Sequence, residues 1–122
     1  GVEAEPDPVL DDVLRVVRVE KGAVERLDPR LFYIQDRSAA LAAHVLGPVE
    51  GIVLDSFSAP GGKAGHVAWR NPRVVIVGVE LSPRRLRDEA RLLARQGVLY
   101  RVMLVEGDAR RPPVSHANAA IV

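Results

Sequence analysis

Residues 52–80 read IVLDSFSAPGGKAGHVAWRNPRVVIVGVE, and the order of elements in this stretch decides the fold. IVLDS (52–56) is a short apolar run containing Asp55. Pro60, Gly61 and Gly62 mark a turn, KAGHVAWR is a short helix closed by Asn71-Pro72, and VVIVGVE (74–80) is a second, β-branched apolar run. Strand, glycine turn, helix and strand in so short a span form one βαβ unit. The strands are apolar throughout rather than alternating because helices cover both faces of a parallel sheet.

The alternation continues outward from this unit. Ser82-Pro83 supplies an N-cap and a proline at the first helical position; Leu86, Ala90, Leu93 and Ala94 fall on one helical face, and Gly97 ends the helix. RVMLV (101–105) is a third strand and AAIV (119–122) begins a fourth. Upstream, Asp36 is placed to cap a helix RSAALAAHVL that stops at Gly47-Pro48. The fold class is therefore α/β, a Rossmann-like doubly wound sheet, expected to be incomplete on its C-terminal side. Residues 1–8 are polar and carry prolines, so no structure is assigned to them. VLRVVRV (13–19) reads as a strand turning at Lys21-Gly22, with helix as the alternative, and Asp28-Pro29 breaks the chain. Residues 1–30 are expected to form an N-terminal extension and 31–122 a partial domain.

Composition narrows the function. With 48% apolar and 27% charged residues the chain has an ordinary globular balance, and no apolar run approaches bilayer length. Nothing at the N-terminus reads as an export signal, so the cytoplasm is the expected compartment. The chain has no cysteine, which excludes disulfides, thiolate metal sites and a cysteine nucleophile within these residues. Acidic side chains outnumber basic ones up to Gly61, and arginine-rich basic character dominates from Gly62 onward. That arginine excess permits a nucleic-acid partner and equally fits compositional bias.

In a doubly wound sheet the ligand lies beyond the carboxyl ends of the strands. Three features land there. Asp55 precedes the loop SFSAPGGKAG, whose Gly61 and Gly62 let backbone approach a ligand at a helix start. Glu80 ends the second strand, where an acid can accept hydrogen bonds from ribose hydroxyls. Asp108 follows the third strand in VEGDAR, placed to meet an adenine edge. The first two features also suit NAD, whereas the third favours S-adenosylmethionine. A nucleotide-triphosphate loop is rejected, because Phe57 stands where its first glycine belongs and Ala64 where the magnesium-binding hydroxyl belongs.

Taken in order, IQDRSA, VLDSFSAPGGKAGHVA, VGVELSPRRL, LLARQGV and VEGDAR resemble the Nop2/Sun (Fmu-type) RNA cytosine-C5 methyltransferases over about residues 31–122. The resemblance implies that Phe57, Ser58, Ala59, Pro60, Gly61, Gly62 and Lys63 form the S-adenosylmethionine loop, with Glu80 on the ribose, Arg85 in the Ser-Pro-x-Arg segment and Asp108 near the adenine. Phe57 stands where the family usually has cysteine, Glu80 where aspartate is commoner and Ala64 where threonine is common. The implied chemistry needs a cysteine thiolate that adds to C6 of cytosine so that C5 takes the methyl group. No residue here can supply it, so no catalytic residue is assigned. The expectation is a truncated cofactor-binding portion of an rRNA or tRNA methyltransferase, inactive alone and self-associating through its open sheet edge. A non-catalytic RNA- or partner-binding module and an NAD-dependent oxidoreductase fragment are the alternatives.

Other residues are given plain structural roles. His44, His66 and His116 are dispersed without ligand spacing, so no metal is expected. Trp69 is read as a packing residue covering the sheet. Arg84, Arg87, Arg91 and Arg95 are read as a solvated helix face paired with Asp88 and Glu89. Asp55 is read either as part of the site or as a cap for loop amides.

Overall fold

The computed structural model describes all 122 residues, which divide into two compact units, Gly1–Ile34 and Gln35–Val122. In the first unit, β1 (Val2–Pro6) and β2 (Leu14–Val19) pair antiparallel, with Val2 opposite Val19 and Pro6 opposite Leu14. The turn between them is organised by Asp7, whose Oδ1 accepts the amides of Val9 at 2.9 Å and Leu10 at 3.0 Å. Two expectations are corrected here. Residues 2–6 form a strand rather than unstructured leader, because pairing with β2 supplies the order their own polar sequence lacks. The strand expected at 13–19 is present as β2, but it pairs with this preceding segment rather than with residues after the Lys21-Gly22 turn, where Val24–Arg26 form a single 3₁₀ turn.

The second unit runs α1 (Arg37–Leu46), β3 (Gly51–Asp55), α2 (Gly62–Arg70), β4 (Val74–Glu80), α3 (Pro83–Arg95), β5 (Val102–Glu106) and β6 (Ala119–Ile121). Its sheet has the order β5-β4-β3-β6 with every pair parallel. The chain moves outward from β3 through β4 to β5 and then crosses to the other side of β3. The strand order therefore reverses between β3 and β6, which is where doubly wound sheets open a crevice. Asn118 secures this crossing: its amide reaches the Ile52 carbonyl at 2.7 Å and its Oδ1 accepts the Ile52 amide at 2.8 Å.

The core of this unit lies between sheet and helices, with Val53, Val67, Val74, Ile76 and Leu93 each at most 1% exposed. Burying side chains of this size stabilises by roughly 1.5–3 kcal/mol each before entropy is counted. The α3 boundary follows its capping chemistry, since Ser82 Oγ accepts the Arg85 amide and Pro83 opens the helix. Asp36 has the extended backbone of an N-cap, but its side chain makes no cap hydrogen bond.

Several side-chain expectations are corrected. Trp69 is 57% exposed, so it does not act as a sheet cover. Ala94 is exposed, and the buried face of α3 is instead carried by Glu89 and Leu93. Glu89 is not a solvated partner for arginine, because none of its surface is accessible. Asp88 does take the expected role, pairing with Arg91 at 3.3 Å.

Candidate functional site

The parallel register brings Asp55, Glu80 and Glu106 to the carboxyl edge of three strands. Asp55 is opposite Gly78, and Glu80 is opposite Glu106. Beyond that edge the Gly107 amide donates to the Glu80 carbonyl at 3.1 Å, so the segment carrying Asp108 starts beside the end of β4. The glycine loop, Glu80 and Asp108 thus share one end of the sheet, as the order of motifs predicts.

The loop 56–61 connects β3 to α2. Phe57 is 65% exposed, whereas Ser58 and Ala59 are buried. The Ser58 amide donates to Val79 O at 3.2 Å and its hydroxyl to Glu89 Oε2 at 2.7 Å, fastening the loop to β4 and α3 together. Arg85 Nη2 donates to the Ala59 carbonyl at 3.1 Å, and its Nη1 lies 3.8 Å from Glu80 Oε1. Its observed contacts therefore brace the loop. Gly61 caps α2 at φ +103°, a left-handed conformation that strains any other residue, and a Cβ there would sit 2.9 Å from Glu89 Cγ. No side chain caps the start of α2, so its first amides, beginning with those of Gly62 and Lys63, have no side-chain acceptor.

Glu80 is 8% exposed, and its Oε1 accepts the Ser82 amide at 3.1 Å. Asp108 is bound by Arg110, whose amide and Nε reach Oδ1 at 2.9 and 3.0 Å. Those hydrogen bonds hold the Asp108 carboxyl down at about 2. Asp55 is 2% exposed; Oδ1 accepts the Phe57 amide at 3.3 Å and Oδ2 has no partner. Burial pushes its carboxyl up to about 6, against the Phe57 hydrogen bond and the charge of Lys63.

Sequence reasoning missed Glu89. Its carboxyl is pushed up to about 7, first by burial and then by the charges of Asp55 and Glu80, against the Ser58 hydrogen bond and Arg85. Nothing in helical spacing distinguishes it from Asp88, one residue earlier. His44 and His66, scattered in sequence, stack edge to face with ring centres 5.6 Å apart, and Gln35 Nε2 lies 3.3 Å from His66 Nδ1.

The donor set suits a ligand that combines hydroxyls, an amine and a carboxylate. Uncapped amides can donate to an anion, Glu80 can accept hydroxyl hydrogens, and the unpartnered Asp55 Oδ2 is a buried acceptor for an N–H.

No protein-family model matches the chain. It is 32% identical over 111 residues, 89% of its length, to ribosomal RNA small subunit methyltransferase B of Xanthomonas campestris, of which it covers 25%. It is 37% identical over 84 residues, 67% of its length, to the tRNA (cytosine(72)-C(5))-methyltransferase of Pyrococcus horikoshii, of which it covers 21%. A crystal structure of a methyltransferase homologue from Pyrococcus horikoshii superposes with a TM-score of 0.77 over 89% of this chain and 37% of that one, at 29% identity. The chain thus spans a quarter or less of the curated relatives, and the matching fold is that of class I methyltransferases. No helix is long and apolar enough to cross a membrane. Motif order, parallel topology and these likenesses agree, and the chain belongs to the Nop2/Sun (Fmu-type) family of RNA cytosine-C5 methyltransferases.

Proposed function

We propose that the 35–122 unit is the S-adenosylmethionine-binding part of a cytoplasmic RNA cytosine-C5 methyltransferase acting on rRNA or tRNA, and that these 122 residues alone transfer no methyl group. The observation that carries this reading is the convergence of the loop 57–63, Glu80 and Asp108 at one sheet edge beside the strand-order reversal. The amides of Gly62 and Lys63 would take the amino-acid carboxylate, Asp55 the amine, Glu80 the ribose hydroxyls and Asp108 the adenine amine. Arg85 orients the loop through Ala59 and lies beside Glu80, where its charge limits repulsion among the acids. Bound there, the cofactor supplies an electrophilic methyl group.

Family chemistry requires a cysteine thiolate on cytosine C6, and none occurs among these residues. That is the support for inactivity of the isolated chain. RNA as substrate is supported by the names of the relatives, both RNA methyltransferases.

Calorimetric titration with S-adenosylmethionine, with NAD as comparison ligand, tests the reading. Binding without response to NAD, weakened at least tenfold by Glu80→Ala, is the expected result. Tighter binding of NAD, or equal binding by Glu80→Ala, would overturn it.

A further inference from the structure

We propose that Glu89 is a positioning residue for the loop 58–62, setting its shape from α3 and thereby its affinity for the cofactor, the last step resting on the function proposed above. Two contacts converge on this side chain, and a third fixes the place of its partner Ser58. Its Oε2 accepts the Ser58 hydroxyl at 2.7 Å. Its Cγ lies where a Cβ on Gly61 would come within 2.9 Å, so the loop backbone rests on the Glu89 stem. Ser58 in turn fits only because Gly78 on β4 has no side chain, since a Cβ there would lie 2.9 Å from Ser58 Oγ.

Packing alone does not explain an acid at this position. Glu89 is wholly buried on a helix face shared with Leu93, and its Oε1 has no hydrogen-bond partner. A leucine would fill such a place without an unsatisfied polar atom. What an acid adds is the hydrogen bond to the loop and a dependence on protonation. The charged groups that face it are Asp55 from β3, Glu80 from β4 and Arg85 from its own helix, with Lys63 of α2 acting on Asp55. Burial and the two carboxylates favour the neutral acid, and the Ser58 hydrogen bond and then Arg85 oppose them without reversing the balance. Loss of the proton leaves Oε1 as a buried, unsolvated charge near other acids. The side chain relieves that charge only by moving toward water, which withdraws support from Ser58 and Gly61.

Hydrogen exchange at residues 57–63 and calorimetric titration with S-adenosylhomocysteine, on the intact chain at about pH 6 and about pH 8, test the proposal. In the unsubstituted protein, loop protection, corrected for intrinsic exchange, and affinity are expected to fall together by about tenfold at the higher pH, roughly one unit of proton linkage. Glu89→Gln keeps the acceptor and abolishes the charge, so both quantities become independent of pH. Ser58→Ala loses loop protection at both pH values while α1 keeps its own. A Glu89→Gln profile that tracks the unsubstituted protein, or loop exchange unchanged by either substitution, overturns the proposal. If exchange responds as described but no S-adenosylhomocysteine binds at either pH, the positioning role stands and the proposed cofactor fails.

Discussion

The Ser58 hydroxyl reaches Glu89 at 2.7 Å, joining the loop after β3 to the interior of α3 across 31 positions of sequence. The bond places a titratable group at the centre of the unit, close to a second one, Asp55. Both have their ordinary acidity weakened by burial, Asp55 from 3.8 to about 6 and Glu89 from 4.5 to about 7. The folded chain therefore holds these protons to higher pH than the unfolded chain does.

Stability should accordingly fall as pH rises from about 4.5 to about 7, because the folded state binds more protons in that window. Asp28 and Asp108 are shifted the other way by their arginine partners, and their contribution is lost only as the solution becomes more acidic than the ordinary carboxylate range. Unfolding free energies from denaturant titrations across the window should decline by an amount on the order of 1–3 kcal/mol, with the midpoints falling in step, and Glu89→Gln should remove the larger part of that slope. A midpoint that rises over the same window contradicts the burial of these two acids.

Glycine substitutions should separate strain from crowding. Gly61→Ala meets both, a φ of +103° and a contact with Glu89 Cγ at 2.9 Å, so it should destabilise the chain by about 1–3 kcal/mol and abolish cofactor binding. Gly78→Ala has only the crowding against Ser58 and Leu104, and should shift the loop with a smaller loss of stability. Gly107→Ala meets Val79 at an ordinary 3.7 Å and should be nearly neutral. Thermal melts of the three variants check this ranking.

The contrast among these glycines reflects what was legible in the sequence. Every element from Arg37 to Glu80 follows from local signals, because Gly47, Gly61, Asn71 and Pro83 punctuate apolar runs whose period is unambiguous. The motif loop and Glu80 were legible for the same reason. Glu89 was not, since its burial arises from the loop of a distant strand arriving over it, and helical spacing treats it like its exposed neighbour Asp88. Strand β1 was hidden in a similar way: VEAEP has little strand character alone and gains its order from partners at 14–19. The facing of His44 and His66 likewise depends on how α1 meets α2.

Arg101 is a further residue whose weight comes from tertiary placement. Its guanidinium donates to Ala68 O at 2.6 Å, Asn71 O at 3.0 Å and Val74 O at 3.4 Å, satisfying carbonyls at and just beyond the end of α2. A cation there also complements the negative end of the helix. Arg101→Met should cost about 1–3 kcal/mol in chemical denaturation, because it strands these carbonyls. Arg101→Lys should recover only part, since a point charge cannot span three acceptors. Equal stability of Arg101→Met and the unsubstituted chain would show that water replaces the guanidinium at no cost.

Asp108 presents a competition that ligand binding has to resolve. Its carboxylate is turned back onto Arg110, through the amide at 2.9 Å and Nε at 3.0 Å, at an exposed position. If Asp108 is to accept an adenine amine, the guanidinium has to yield at least one oxygen. Exposed ion pairs are weak and screened by salt, so the yield is small. Arg110→Ala should therefore tighten S-adenosylhomocysteine binding by about two- to fivefold at low ionic strength, with the difference shrinking as salt is added. Asp108→Ala should weaken binding, and adding Arg110→Ala to it should change nothing further, because Arg110 would then have no carboxylate to occupy. If Arg110→Ala instead weakens binding by itself, the arginine is holding the 108–110 turn in shape, and the side-chain bonds to Asp108 belong to the binding conformation rather than opposing it.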